Sequence, residues 1–168
     1  MCPIKPDIIL YGLANKDLPL ACEVIKSFGV DRVRIISSNT NEIRYMDELN
    51  IMEKSRIFDS NINKVEEYNF GVLLNLPNYN IKDIKQMQSV EDNVKIVLDI
   101  ISGKRDDAYV DLVCLNSGNI LQLSGIVDTI EEGYYLSKKQ IKSGKTINKL
   151  IDIIQESKGD ISKLDNYL

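Results

Sequence analysis

The chain has 168 residues, 43% hydrophobic and 27% charged, with 21 Lys and Arg against 25 Asp and Glu. That is the size and balance of one ordinary globular domain, able to fold without a disulfide or structural metal. A net charge of −4 with scattered basic residues argues against a nucleic-acid surface, and there is no run of about 18 apolar residues to span a membrane. The chain has no histidine, which removes Ser-His-Asp and Cys-His catalysis and the commonest zinc sites. Its cysteines, Cys2, Cys22 and Cys114, have no metal spacing. With an N-terminus that lacks a signal pattern, they predict reduced thiols and a cytoplasmic location.

In chain order, residues 7–13, DIILYGL, are a short apolar run bounded by Pro6 and Asn15 and predict a buried strand. A helix follows, capped by Asp17, with Pro19 in its first turn and Gly29 at its end. Its expected inward face is Ala21, Val24, Ile25 and Phe28. DRVRIIS, residues 31–37, is a second strand. Strand, helix and strand with short links predict a βαβ unit with parallel strands. Residues 39–70 alternate in polarity around DSNIN and predict short strands, and NLPNYN, residues 75–80, predicts a loop.

From Ser89 the pattern becomes helical. Ser89 and Asp92 open one helix, with Val94, Val97, Leu98 and Ile101 on one side. A second spans about 107–124, with Val110, Val113, Cys114, Ser117 and Ile120 along a stripe. Thr129 and Glu132 form a capping box for a third, and Thr146 starts a fourth. The lysine-rich SKKQIKSGK run predicts a solvated helix face. The expected class is α/β: a small, mostly parallel sheet opened by the βαβ unit, a short β excursion, and a helical C-terminal half. The chain is expected to be one domain, with the change falling between 1–75 and 76–168.

No Walker A, G-x-G-x-x-G or G-x-S-x-G sequence is present. The one acidic feature of chemical interest is RYMDELNI, residues 44–51, where Asp47 and Glu48 are adjacent. Adjacent carboxylates near a strand end suit a divalent metal, and they equally suit a charged turn.

Several segments carry a resemblance. Leu115-Asn116-Ser117-Gly118, Ile130-Glu131-Glu132-Gly133 and Ile141-Lys142-Ser143-Gly144-Lys145 stand in order at matching spacing. Upstream are EDNVKIVLDIISGK with Asn93, VEEYNFGV with Phe70 and Gly71, and YMDEL with Asp47 and Glu48. Together they resemble the C-terminal part of the anthranilate phosphoribosyltransferase family, over about residues 3–154. The CPIKP segment resembles a reduced form of that family's Gly-Pro-Leu-x-Asn-Pro motif. Nucleoside phosphorylases share the fold but fit the C-terminal pattern less well.

The resemblance implies transfer of a phosphoribosyl group from phosphoribosyl pyrophosphate to anthranilate, in tryptophan biosynthesis, with magnesium on the departing pyrophosphate. It implies that Asp47 and Glu48 are magnesium ligands, directly or through water, and it assigns no catalytic residue. The family's Gly-Thr-Gly-Gly-Asp loop and Asn-His-Gly-Asn-Arg segment have no counterpart in these 168 residues, and ISSNTN replaces its His-Gly. The chain alone is therefore expected to be inactive. It is expected to self-associate or to need a separately encoded N-terminal part, with phosphoribosyl pyrophosphate as a ligand. The alternative is a non-catalytic binding module of the same fold.

Overall fold

The computed structural model describes residues 6–39, 44–165 and 167. Residues 2–5 of the CPIKP segment, and Thr40 and Asn41 of ISSNTN, lie outside them. The chain divides into two compact units, Met1–Ile81 and Lys82–Leu168.

The first unit holds the sheet. Strand β1, Ile8–Gly12, leads into helix α1, Leu18–Lys26, and then into β2, Arg32–Asn39. Asp17 caps α1 by accepting from the Leu20 N–H at 3.3 Å, and Pro19 sits in the first turn. Gly29 takes the left-handed backbone that releases the chain from the helix, at φ 81°. β1 and β2 are parallel, from Ile8 opposite Arg32 to Gly12 opposite Ile36. One face of the unit is an apolar cluster of Leu18, Cys22, Val30, Val33, Ile35 and Phe58.

The rest of the sheet is paired antiparallel. Strands β3, Tyr45–Met46, and β4, Ser55–Asp59, both pair antiparallel with β2, and β5, Lys64–Tyr68, pairs antiparallel with β4. This corrects the expectation of a mostly parallel sheet: among the described strands only the β1–β2 pair is parallel. A parallel neighbour needs a crossover of about a dozen residues, which α1 provides. The short links from β2 to β3 and from β4 to β5 join antiparallel strands, while β3 and β4 lie on opposite edges of β2 and run the same way. A four-residue turn links β4 to β5, with Asn63 at φ 54° and its N–H donating to the Asp59 carbonyl at 2.8 Å.

The inward face of α1 also differs from the expected one. Ala21 and Ile25 of that face do pack against the core cluster, beside the fully buried Leu18 and Cys22, while Val24 and Phe28 are 53% and 76% exposed. Apolar residues occupy two sides of this helix, so spacing alone does not select the buried side. Opposite the apolar face, Asp59 draws in two arginines. Arg34 donates to its Oδ2 from Nε at 3.1 Å and from Nη2 at 2.9 Å, and Arg32 from Nη2 at 2.8 Å. Burial raises the Asp59 carboxyl, but hydrogen bonds from Arg32, the Asn61 backbone and Arg34 outweigh it and hold the group below its ordinary value.

The second unit is helical. Its main elements are α3, Val90–Ile101, α4, Ala108–Leu123, α5, Ile130–Lys142, and α6, Lys145–Glu156. The short α2, Phe70–Leu73, belongs to the first unit, and a last turn, α7, spans Ser162–Asp165. Ser89 caps α3 through the Asp92 N–H, Asp107 caps α4, and Thr129 with Glu132 makes the full capping box of α5.

Helices α4 and α5 pack very closely because Gly118 faces Gly133. A Cβ on Gly133 would stand 2.5 Å from the Gly118 carbonyl oxygen. Beside this crossing, Asp111 accepts from the Tyr134 hydroxyl at 2.6 Å and from Lys138 at 2.7 Å. Lys138 also pairs with Asp106 at 2.9 Å. Part of the lysine run expected to be merely solvated is thus tied into a half-buried charge network.

Candidate functional site

The acidic pair sits at the C-terminal end of β1. β3 pairs with β2 at Ser38 and Asn39, beyond the point where β1 ends opposite Ile36. β4 already holds the other edge of β2 over Ser38. β3 therefore continues the row that β1 vacates when the chain turns off toward α1, and Asp47 arrives against the last residue of β1. The approach is tight: a Cβ on Gly12 would lie 1.8 Å from the Asp47 carbonyl oxygen. Gly12 is the residue that lets the acidic loop seat there.

The other side of the loop is held by a buried polar chain. Ser38 donates to the Glu48 carbonyl at 2.5 Å and lies 2.8 Å from the Ser55 hydroxyl. Ser55 accepts from the Asn50 N–H at 2.8 Å, and the Asn50 side chain accepts from the Met52 N–H at 2.8 Å. A second glycine completes the seat, since a Cβ on Gly71 would stand 2.3 Å from the Ile51 carbonyl oxygen. Strand ends, two glycines and a buried serine pair thus fix the main chain of residues 47–52.

The two side chains are placed differently. Asp47 is exposed and Glu48 half-buried. Burial, and then the neighbouring Asp47 charge, push the Glu48 carboxyl above its ordinary value. Among the described residues no ion pair involves either carboxylate. Nor does any group of three or more His, Cys, Asp or Glu side chains among the described residues come together to hold a metal ion. The arrangement is two hard oxygen donors on a fixed loop, with an uncompensated negative charge. That donor set suits a cation that takes one or two carboxylates and fills its remaining positions with water and ligand oxygens, as magnesium does.

Other residues singled out in the sequence have structural roles. Asn116 donates to the Leu112 carbonyl of its own helix at 3.1 Å. Asn93 brackets the turn before α3, donating to the Ser89 carbonyl at 2.6 Å and accepting from the Met87 N–H at 3.1 Å. Phe70 is in the core at 1% exposure, and Cys22 and Cys114 are buried free thiols. Leu115 and Gly118 are buried in α4, and Gly133 is buried in α5.

The sequence profile described as "Glycosyl transferase family, a/b domain" matches residues 1–147. The chain belongs to this glycosyl transferase family. Among the family's curated members, anthranilate phosphoribosyltransferase of Bacillus cereus is 25% identical, over 97% of this chain and 47% of its own length. The Petrotoga mobilis enzyme of the same name is 30% identical, over 87% of this chain and 41% of its own. The chain therefore spans less than half the length of these glycosyl transferase relatives.

Two solved structures share the fold. The Thermus thermophilus anthranilate phosphoribosyltransferase superposes with a TM-score of 0.73 at 17% identity, over 86% of this chain and 41% of that one. The Saccharomyces cerevisiae enzyme, solved in complex with PRPP and Mg, gives 0.74 at 17% identity, over 89% and 41%. The mixed α/β architecture with a helical C-terminal half is that of this glycosyl transferase fold. Among the described residues, no helix is long and apolar enough to cross a membrane.

Proposed function

We propose that this chain supplies the metal-holding part of an anthranilate phosphoribosyltransferase site, with Asp47 and Glu48 as the magnesium ligands. The observation that carries the reading is the loop seat: Gly12, Ser38 and Ser55 fix an otherwise uncompensated carboxylate pair at the C-terminal end of a parallel strand. Ligands of open α/β sheets bind outside the carboxyl ends of the strands. Magnesium, when bound, neutralises charge gathering on the departing pyrophosphate. The protein's share is to hold both carboxylates in place: Gly12 admits the loop, and the serine pair anchors the main chain beneath Glu48.

The activity needs the other part of the relatives' length, because the glycine-rich loop and the Asn-His-Gly-Asn-Arg segment have no counterpart in the 168 residues. The exposed Leu20 and Val24 on α1 and Phe28 just beyond it, at 55%, 53% and 76%, support a covering partner, either that part or a second copy of this chain. A second reading, a non-catalytic module that binds magnesium and phosphoribosyl pyrophosphate without turnover, is favoured by ISSNTN, residues 36–41, standing in place of the family's His-Gly.

Complementation tests the first reading. Mixed with the N-terminal half of a relative, the chain is expected to consume anthranilate fluorescence only when phosphoribosyl pyrophosphate and magnesium are both present. Either protein alone is expected to be inactive. Asp47→Asn with Glu48→Gln is expected to lower the rate by about a hundredfold or more, the scale of losing charge stabilisation at a reacting group. Ligand binding without turnover in every mixture would support the second reading.

A further inference from the structure

We propose that Arg56 and Ser37 form an anion-holding position beside the acidic pair, built for a phosphate-class group. Ser37 is fully buried, yet its hydroxyl has no hydrogen-bond partner among the described residues. Arg56 stands directly opposite it across the β2–β4 pair. The Arg56 Nε is enclosed and also without a partner. Among the described residues its terminal nitrogens reach the Lys16 and Asn15 carbonyls, both at the long distance of 3.4 Å. The guanidinium lies 5.2 Å over the Tyr45 ring. No carboxylate among the described residues forms an ion pair with it.

Enclosed donors left unused are costly and rare in folded proteins. Here two of them, a hydroxyl and a guanidinium edge, face one side of the sheet at the same register position. Asn39, two residues along the same face, has an unpartnered amide oxygen as well, and its amide can present either end. A planar guanidinium fork with a hydroxyl beside it suits a phosphate oxygen pair.

The location fits. Arg56 touches the turn at Asn15 and Lys16, and the Asp47 carbonyl touches Gly12 just before the same turn. Arg56 also stacks on Tyr45, two residues from Asp47. Arg56 and the acidic loop thus share two neighbours, the chain from Gly12 to Lys16 and the Tyr45 strand. That the anion belongs to a pyrophosphate rests on the function proposed above, whereas the anion position itself does not.

Isothermal titration of the 168-residue chain with inorganic pyrophosphate, first in EDTA and then in magnesium, tests this. The wild type is expected to bind without metal, with Arg56→Gln weakening that binding about tenfold or more and Ser37→Ala severalfold. Circular dichroism reports whether each variant folds. If Arg56→Gln does not fold, Arg56→Lys keeps the charge and loses the fork, and is expected to bind several times more weakly than wild type. No metal-free binding by the wild type, or unchanged affinity in the folded Arg56 and Ser37 variants, would overturn the proposal. Asp47→Asn with Glu48→Gln is expected to keep metal-free binding and lose only the magnesium enhancement. Failure of that result would count against the metal ligands and leave Arg56 standing.

Discussion

Alanine at Gly118 or Gly133 is expected to lower the stability of the helical unit by about 2 kcal/mol, read as an earlier thermal transition. Two effects oppose each other. Replacing a mid-helix glycine with alanine favours the helix by about 1 kcal/mol. Against that, a Cβ on Gly118 would lie 2.5 Å from the Tyr134 nitrogen and 2.7 Å from the Ile130 oxygen. These are backbone atoms, which cannot swing aside, so α4 and α5 must separate. Overpacking of this kind costs about 3 kcal/mol or more at its upper end. The steric cost wins. The two sites touch, so one separation accommodates both methyls, and the double variant is expected to lose less than the sum of the single losses. Additive losses would mean that the two glycines act independently.

Asp59→Ala is expected to cost about 3–5 kcal/mol near neutral pH, measured by urea unfolding. The reason is what it leaves behind: Arg34, 4% exposed, would lose a carboxylate that accepts from two of its nitrogens. Replacing both partners, as Arg34→Met with Asp59→Leu, is expected to recover most of the loss, since the charge is then gone rather than stranded. The pH dependence has a definite sign. The folded Asp59 carboxyl is held below its ordinary value. Its stabilisation is therefore complete above the unfolded carboxylate range near about 4, and it is lost as pH falls through the folded value. The gap between wild type and Asp59→Ala should narrow as the medium is acidified. A gap that stays constant into strong acid would show that Asp59 is not ionised in the native state.

What could be read from the sequence was mostly local. Ser89, Asp107 and the Thr129–Glu132 box mark helix starts because a cap and the amide it satisfies lie within three residues of each other. The DSNIN turn marks a hairpin for the same reason. Strand direction is not local: once α1 had set one parallel pair, nothing within β3, β4 or β5 stated which neighbour each would take. The buried side of α1 was hidden because apolar residues ring much of the helix.

The site was legible only through the family pattern. Two adjacent carboxylates look alike in a turn and in a metal loop. What distinguishes this loop is Gly12, thirty-five positions away in the chain, and the Ser38–Ser55 contact across two strands. Arg56 and Ser37 carried no sequence signal, since an unused donor is visible only once the surrounding atoms are placed. The motifs that carried the resemblance most strongly, around Gly118 and Gly133, prove to be packing residues of α4 and α5, remote in role from phosphate chemistry.

Manganese binding in the presence of pyrophosphate, followed by the loss of the free-ion electron paramagnetic resonance signal, tests the central claim most directly. Manganese takes the same oxygen ligands as magnesium. The wild-type chain is predicted to bind one ion per molecule. Asp47→Asn with Glu48→Gln, still folded, is predicted to leave the ion free. Equal binding by the two proteins, or none by the wild type, would contradict a metal role for Asp47 and Glu48.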